Sequence, residues 1–269
     1  MHGPYETLLT ELDEGILTVT VNRPEALNAL SPIVIDELRD IVSQIQRNTG
    51  AGTDWPVRGV ILTGMGEKSF VAGADIKAMA EMTPAEADSY TRVAQELTSR
   101  IEELPVPVLA AVNGFALGGG CEIAMSCDFI YASANASFGQ PEVQLGLVPG
   151  FGGSVRLQQF VGAAMASELI MTGRRIDAAE ALRIGLVNRV FDDKDALVAG
   201  AHETMKLVLG VSPIAVAVSK QTIRETAHQA NRTALDIERA AFVGMFSTAD
   251  MREGTRAFMA KEKPTFTGK

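Results

Sequence analysis

Residues 108–122, VLAAVNGFALGGGCE, constrain the fold more than any other part of the chain. Val108–Val112 is a short apolar run introduced by Pro105 and Pro107, which predicts a buried strand. Three consecutive glycines, Gly118, Gly119 and Gly120, then join that strand to a helix expected over residues 120–126. Without Cβ atoms this turn can adopt dihedrals closed to other residues and bring its amides close to a ligand. The free NH groups of a first helical turn, at the positive end of the helix dipole, favour negative charge developing above them. Glycines alone fit equally well a helix packed tightly on a sheet. Glu122 shifts the balance, because a carboxylate between Cys121 and the run Ile123, Ala124, Met125 has no solvated setting. Buried glutamates are rare without a partner or a task.

The remaining totals narrow the class. A chain of 269 residues with 46% apolar and 21% charged residues has the composition of a globular domain with a substantial core. No apolar run reaches membrane-spanning length and the first residues, MHGPYETLL, lack a signal-peptide pattern, so a cytoplasmic enzyme without a membrane partner is expected. Cys121 and Cys127 match no CxxC spacing and read as reduced core residues. His2, His202 and His228 are all distant in sequence from the glycines, which disfavours a Ser-His-Asp triad or a histidine metal site. The net charge of −9 is uneven: residues 1–201 carry −12 and residues 202–269 carry +3. An acidic body argues against nucleic acid as a partner. The basic tail reads as ordinary surface, with help in holding a phosphorylated ligand as the alternative.

Taken in order, residues 6–11 and Ile16–Val21 predict a hairpin about Asp13-Glu14-Gly15. Ser31-Pro32 predicts a helix start, with Val34, Leu38, Ile41 and Ile45 on one face. After a polar loop containing Trp55, read as a local cover, a strand is expected over residues 59–63. Residues 69–79, SFVAGADIKAM, form a second strand end breaking at small residues. Thr83-Pro84-Ala85-Glu86 is a capping box for a helix over residues 84–103. A further strand begins at Phe129, and Glu142 supplies a second carboxylate in the uncharged run 132–151. A second glycine-rich turn follows at residues 149–154. Beyond Asp195 the pattern is mostly helical, giving an α/β body over 1–200 and a helical C-terminal region over 201–269.

Two turns of small residues, Ala72-Gly73-Ala74 and Gly118-Gly119-Gly120, can each offer one amide to a single carbonyl oxygen. Such an oxyanion hole stabilises charge as it develops. With no suitable His, Cys or Ser nucleophile nearby, Glu122 and Glu142 point to general acid and base work. In a shared apolar cleft their like charges are expected to push their two pKa values apart.

The segments NRPEALNALS (22–31), FVAGADIKAM (70–79), PVLAAVNGFALGGGCEIAMSCD (107–128), FGQPEVQLGLVPGFGGSVRL (138–157) and TADMREGTRAFMAKEKPTF (248–266) resemble the crotonase, or enoyl-CoA hydratase, superfamily over essentially the whole chain. The fold implied is α/β, a spiral of ββα units with a helical C-terminal region that packs into homotrimers, often paired as hexamers. The pair of glutamates at 122 and 142 matches the hydratases, whereas isomerases and related enzymes on this scaffold usually depart at one or both. By resemblance, the amides of Ala74 and Gly119 bind the thioester oxygen and that of Gly150 helps place the water. Ala26, Leu27 and Ile76 line the CoA channel, and Lys77 lies near the CoA phosphates. Phe258 and Lys261 approach the CoA of a neighbouring subunit. The implied reaction is syn addition of water to a trans-2-enoyl-CoA thioester, with no metal and no cofactor beyond the coenzyme A of the substrate. Isomerisation or another CoA-thioester reaction is the nearest rival. An RNA-binding relative is disfavoured by the net charge, and an inactive one by the intact glutamate pair. The resemblance implies that Glu122 acts mainly as base toward the water while Glu142 delivers the proton to C2 and shares in holding that water; residue types alone do not say which glutamate is which.

Overall fold

A computed structural model describes residues 4–50, 54–227 and 229–269. His2, His228, the middle of the 50–56 loop and the side chain of Lys77 lie outside that description. The chain opens with the expected hairpin, β1 (Leu8–Asp13) and β2 (Ile16–Val21). Its two-residue loop places Glu14 at φ 46° and Gly15 at φ 92°, the paired positive values that match strand twist. Next comes α1 (Pro32–Asn48), whose first turn is capped by Ser31 Oγ accepting from the Val34 amide at 3.3 Å.

A ββα rhythm follows. Its first unit is β3 (Gly59–Gly64), β4 (Ser69–Val71), the short α2 (Ile76–Met79) and α3 (Pro84–Glu102). In the capping box of α3, the Thr83 amide donates to Glu86 Oε2 at 2.8 Å and the Glu86 amide donates back to Thr83 Oγ1 at 3.4 Å. The second unit is β5 (Val108–Val112), β6 (Phe115–Leu117) and α4 (Gly119–Met125). The third is β7 (Phe129–Ser133) and β8 (Ser137–Gly139), a 3-10 turn at Pro141–Leu145, then α5 (Gly153–Val161) and α6 (Ala163–Thr172). After β9 (Ile176–Asp177), α7 (Ala178–Arg183) and β10 (Arg189–Phe191), the chain is helical through α8 (Lys194–Leu209), α9 (Pro213–Thr226), α10 (Asn231–Met245) and α11 (Ala249–Ala260).

Each unit gives its first strand to one sheet and its second to another. The larger sheet runs β1-β2-β3-β5-β7-β10 and the smaller β4-β6-β8-β9. Pairing between units is parallel throughout, as in β3 with β5 and β4 with β6. Successive units therefore stack strand beside strand, with one register shift between β4 and β6, as the spiral implied by the resemblance.

This arrangement corrects the expected direct link between the strand Val108–Val112 and the glycine-led helix, because β6 intervenes. Three residues cannot display a period, so Phe115-Ala116-Leu117 gave no strand signal. Buried Asn113 makes the step between sheets. Its side-chain nitrogen donates to the carbonyls of Gly64 at 2.9 Å and Gly66 at 2.7 Å, while its oxygen accepts from the Gly64 amide at 3.0 Å. Asn28, also buried, holds the step before it by donating to the carbonyls of Met65 and Ser69 at 3.0 and 2.8 Å. Both asparagines satisfy backbone groups that a bend between sheets would otherwise leave unpaired.

The larger sheet is covered on both faces. Ile61, Leu109, Ala111 and Tyr131 meet Leu197, Ala201 and Met205 of α8. Val60, Leu62, Val108 and Ala110 belong instead to the core shared with α1, α3 and α4. Residue 200, where the sequence suggested a division, lies within α8. Cys121 and Cys127 are buried free thiols, and Trp55 is buried against Gly268. Among the described residues no single helix is long and apolar enough to cross a membrane.

Candidate active site

The site lies where the parallel strands of the smaller sheet end. β4, β6 and β8 run side by side, so their carboxyl ends deliver residues 72–74, 118–120 and 140–142 to one edge. Ligands in parallel α/β sheets commonly bind at such ends. The Gly73 carbonyl accepts from the Leu30 amide at 2.8 Å. The Leu30 carbonyl accepts in turn from the Asp75 amide at 3.0 Å, so the Ala74 N–H between these two bonds points the opposite way, off this ladder. In the same manner the Gly118 carbonyl accepts from the Glu122 amide at 2.9 Å, which turns the Gly119 N–H out of the helix start.

The three glycines divide the two roles left open by the sequence. Gly120 serves packing, since a Cβ there would collide with the Val71 carbonyl. Gly118 takes φ 48°, and a Cβ on it would stand 2.7 Å from Glu142 Oε1. Gly119 directs an amide outward, with Leu30 and Phe151 each 3.0 Å from where its Cβ would be.

Glu122 on α4 is only 1% exposed. Its Oε1 accepts from the amides of Phe151 and Gly153 at 2.8 and 2.6 Å. Burial pushes its pKa up to about 7, the Gly153 amide opposes the shift, and the charge of Glu142 adds to it. Glu142, in the 3-10 turn, is half-buried, and its carboxyl is likewise raised, chiefly by burial. Desolvation outweighs the mutual repulsion expected from the sequence as the source of both shifts. The buried Gln140 amide lies 2.9 and 3.1 Å from the two Glu142 oxygens and, with its nitrogen facing them, donates to both.

A cavity of about 600 Å³ joins these parts, and Ala74, Ile76, Gly119, Glu122, Glu142 and Gly150 all border it. Met79 and Ala87 border it as well. Ala26 and Leu27 do not. Leu27 lines a separate cleft of about 290 Å³ with Pro24, Asn28 and Lys68, and its carbonyl accepts from the Ala72 amide at 3.1 Å. Ala26 ends the 3-10 turn Pro24–Ala26 beside it. Phe258 on α11 is 86% exposed, and Lys261 caps that helix at φ 57°, both outside the cavity.

A family profile described as enoyl-CoA hydratase/isomerase matches residues 11–269. The chain belongs to the enoyl-CoA hydratase/isomerase family. A short-chain-enoyl-CoA hydratase of Clostridium acetobutylicum is 47% identical, with 95% of each chain covered. A crotonyl-CoA hydratase of Syntrophomonas wolfei is 43% identical over 98% of this chain and 99% of its own. The crystal structure of an enoyl-CoA hydratase from Bacillus anthracis superposes with a TM-score of 0.91 at 38% identity, covering 98% of this chain and 100% of that one. Within this family, the two named relatives support enoyl-CoA hydration as the activity.

Around this cavity, several residues gave no distinct sequence signal. Tyr90 borders the cavity from α3 and meets the Phe151 ring edge-on at 5.4 Å. Its hydroxyl donates to the Leu30 carbonyl at 3.4 Å, and burial raises its pKa to about 12. In sequence it is one more aromatic on an amphipathic helix. Gln95 closes another side, donating to the Gly150 carbonyl at 2.8 Å. Gln140, between Gly139 and Pro141, could have been singled out as a polar residue inside an apolar run. Arg175 reaches the cavity from beside β9 with its guanidinium 5.6 Å from the Phe115 ring centre. Its basicity was lost among the other arginines of an ordinary surface.

Proposed function

We propose that the chain adds water, syn, across the double bond of trans-2-enoyl-CoA thioesters to give 3-hydroxyacyl-CoA. The observation that carries this reading is the pair of carboxylates, Glu122 and Glu142, bordering one cavity with the outward amides of Ala74 and Gly119. The thioester oxygen accepts from those two amides, which draws electrons from the double bond and makes C3 electrophilic. Glu122 takes a proton from water as its oxygen bonds to C3, and Glu142 delivers a proton to C2 as the π bond is lost. Its pKa near neutrality suits Glu122 to the role of base, and two amides on Oε1 leave its other oxygen for the water. Gly150, at the cavity wall, helps to place that water.

No metal or redox cofactor enters the scheme, and coenzyme A arrives as part of the substrate. The CoA is held along Ala26, Leu27 and Ile76 with Lys77 near its phosphates. Association into trimers, or hexamers as pairs of trimers, is part of the same proposal, with Phe258 and Lys261 reaching a neighbour's CoA. Exposed apolar side chains on α10 and α11, among them Leu235, Phe242, Val243 and Phe258, give such a contact something to bury. A cytoplasmic setting completes the proposal.

Crotonyl-CoA is the first substrate to try, given the names of the two relatives. Loss of its conjugated-thioester absorbance, with 3-hydroxybutyryl-CoA identified as product and its configuration determined, tests the reading. Turnover to a product with a moved double bond and no added water would replace hydration by isomerisation.

A further inference from the structure

The turn that holds Glu122 is itself held from behind. Arg156, on α5, is buried with 8% exposure. Its Nε and Nη2 donate to the two oxygens of Glu102, near the end of α3, at 2.6 and 3.0 Å. Its Nη1 donates to the Phe151 carbonyl at 2.9 Å. Between them Gly152 takes φ 108°, and a Cβ there would run into the guanidinium. All three nitrogens are thus engaged, two on a carboxylate and one on the residue whose own amide binds Glu122.

An ion pair whose arginine is buried and whose Glu102 side chain is 32% exposed is a poor device for stability alone, since exposed pairs contribute little and apolar residues of similar size often replace buried ones without loss. A planar fork fixed at three points is, however, a good device for orientation. We infer that Arg156 is a positioning residue for the proposed hydration. It locks residues 151–153 so that two amides stay on Glu122 Oε1, and with Glu102 it sets the charge that this carboxylate experiences. The inference rests on the reading of Glu122 as the base. The ionisable groups facing Glu122 are Glu142 from the 3-10 turn, Arg156 from α5, Tyr90 from α3 and Cys121 beside it on α4, with Glu102 behind Arg156. Among these, Arg156 opposes the upward shift of Glu122 and Glu142 reinforces it.

The opposite charges of Arg156 and Glu102 give a test that a merely structural role would not satisfy. The Glu122 carboxyl is titrated by 13C NMR in glutamate-labelled full-length protein, with Glu122→Gln to assign the signal. The same proteins are assayed for the pH dependence of crotonyl-CoA hydration and for binding of unreactive butyryl-CoA. Arg156→Gln is expected to raise the Glu122 midpoint by about one pH unit, moving the acid limb of kcat upward with it. Its kcat at the optimum falls about tenfold or more while butyryl-CoA affinity changes less than about threefold. Arg156→Lys, which keeps the charge and loses the fork, leaves the midpoint within a few tenths of a pH unit yet still lowers kcat. Glu102→Gln moves the midpoint down, and it decides the matter alone if Arg156→Gln does not fold. Midpoints that stay at the wild-type value in both neutral variants, or that move in the same direction, overturn the inference. Wild-type protein that titrates as described but hydrates nothing would instead sink the hydration reading.

Discussion

The two sheets divide the labour of the molecule. The larger has at its centre Gly59–Gly64 and Val108–Val112, buried along their whole length and packed on both faces, and none of its strand residues borders the cavity. The smaller consists of strands of two or three residues, yet its parallel ends carry the amides of Ala74 and Gly119 and lead directly to Glu122 and Glu142. Long strands furnish burial; short ones stop where backbone is needed for something other than pairing. Stability and the proposed chemistry therefore belong to different layers, and substitutions should separate them.

The largest expected effect is on the carboxylates. Glu122→Gln and Glu142→Gln should each lower kcat for crotonyl-CoA hydration by about 100- to 10,000-fold with butyryl-CoA binding preserved. Near-wild-type turnover in both variants would remove the mechanism. Gly119→Pro comes next, since proline is accepted at a first helical position but has no N–H to donate. A loss of about 100- to 1000-fold in kcat is expected, and a smaller one would show that the amide is dispensable. In the larger sheet, the fully buried Leu109 should behave in the opposite way. Leu109→Ala is expected to cost about 2–5 kcal/mol in denaturant unfolding while kcat per folded molecule stays within about twofold. A matching loss of kcat would mean that the two layers are not separable.

The smallest effect joins the layers at Glu122. Its folded pKa of about 7 stands above the ordinary carboxylate value, so between roughly pH 4.5 and 7 the folded state keeps a proton that the unfolded chain releases. Stability therefore falls as pH rises through that window, by up to about 3 kcal/mol from this one group. Glu122→Gln should unfold at a higher temperature than wild type at pH 8 and show a smaller advantage at pH 5. Calorimetry at the two pH values checks this, and an equal difference at both would mean that the buried carboxyl is not the source.

The same division explains what could be read in advance. Long apolar runs and cap residues announced Val108–Val112, the helix Pro84–Glu102 and the hairpin, because period and capping act over several residues. β6, β8 and β9 were silent, being shorter than any period they could display. Glu122 and Glu142 were conspicuous as charges in apolar surroundings. Tyr90, Gln95 and Arg156 were not, since each takes its meaning from a partner far away in sequence: Leu30, Gly150 and Glu102. The expected division near residue 200 came from a true change in composition, but Leu197, Ala201 and Met205 are the apolar face by which α8 joins the sheet.

Two peptide N–H groups, those of Ala74 and Gly119, are turned off the ladder and out of the helix start. Backbone protons of this kind trade readily with solvent deuterium, unlike their neighbours in sheet or helix. A thioester oxygen seated between them would slow that trade at two known positions and leave the larger sheet untouched. The atoms proposed to activate the substrate would then also announce its arrival, so deuterium uptake across residues 72–76 and 117–121 could measure occupancy without turnover, label or chromophore.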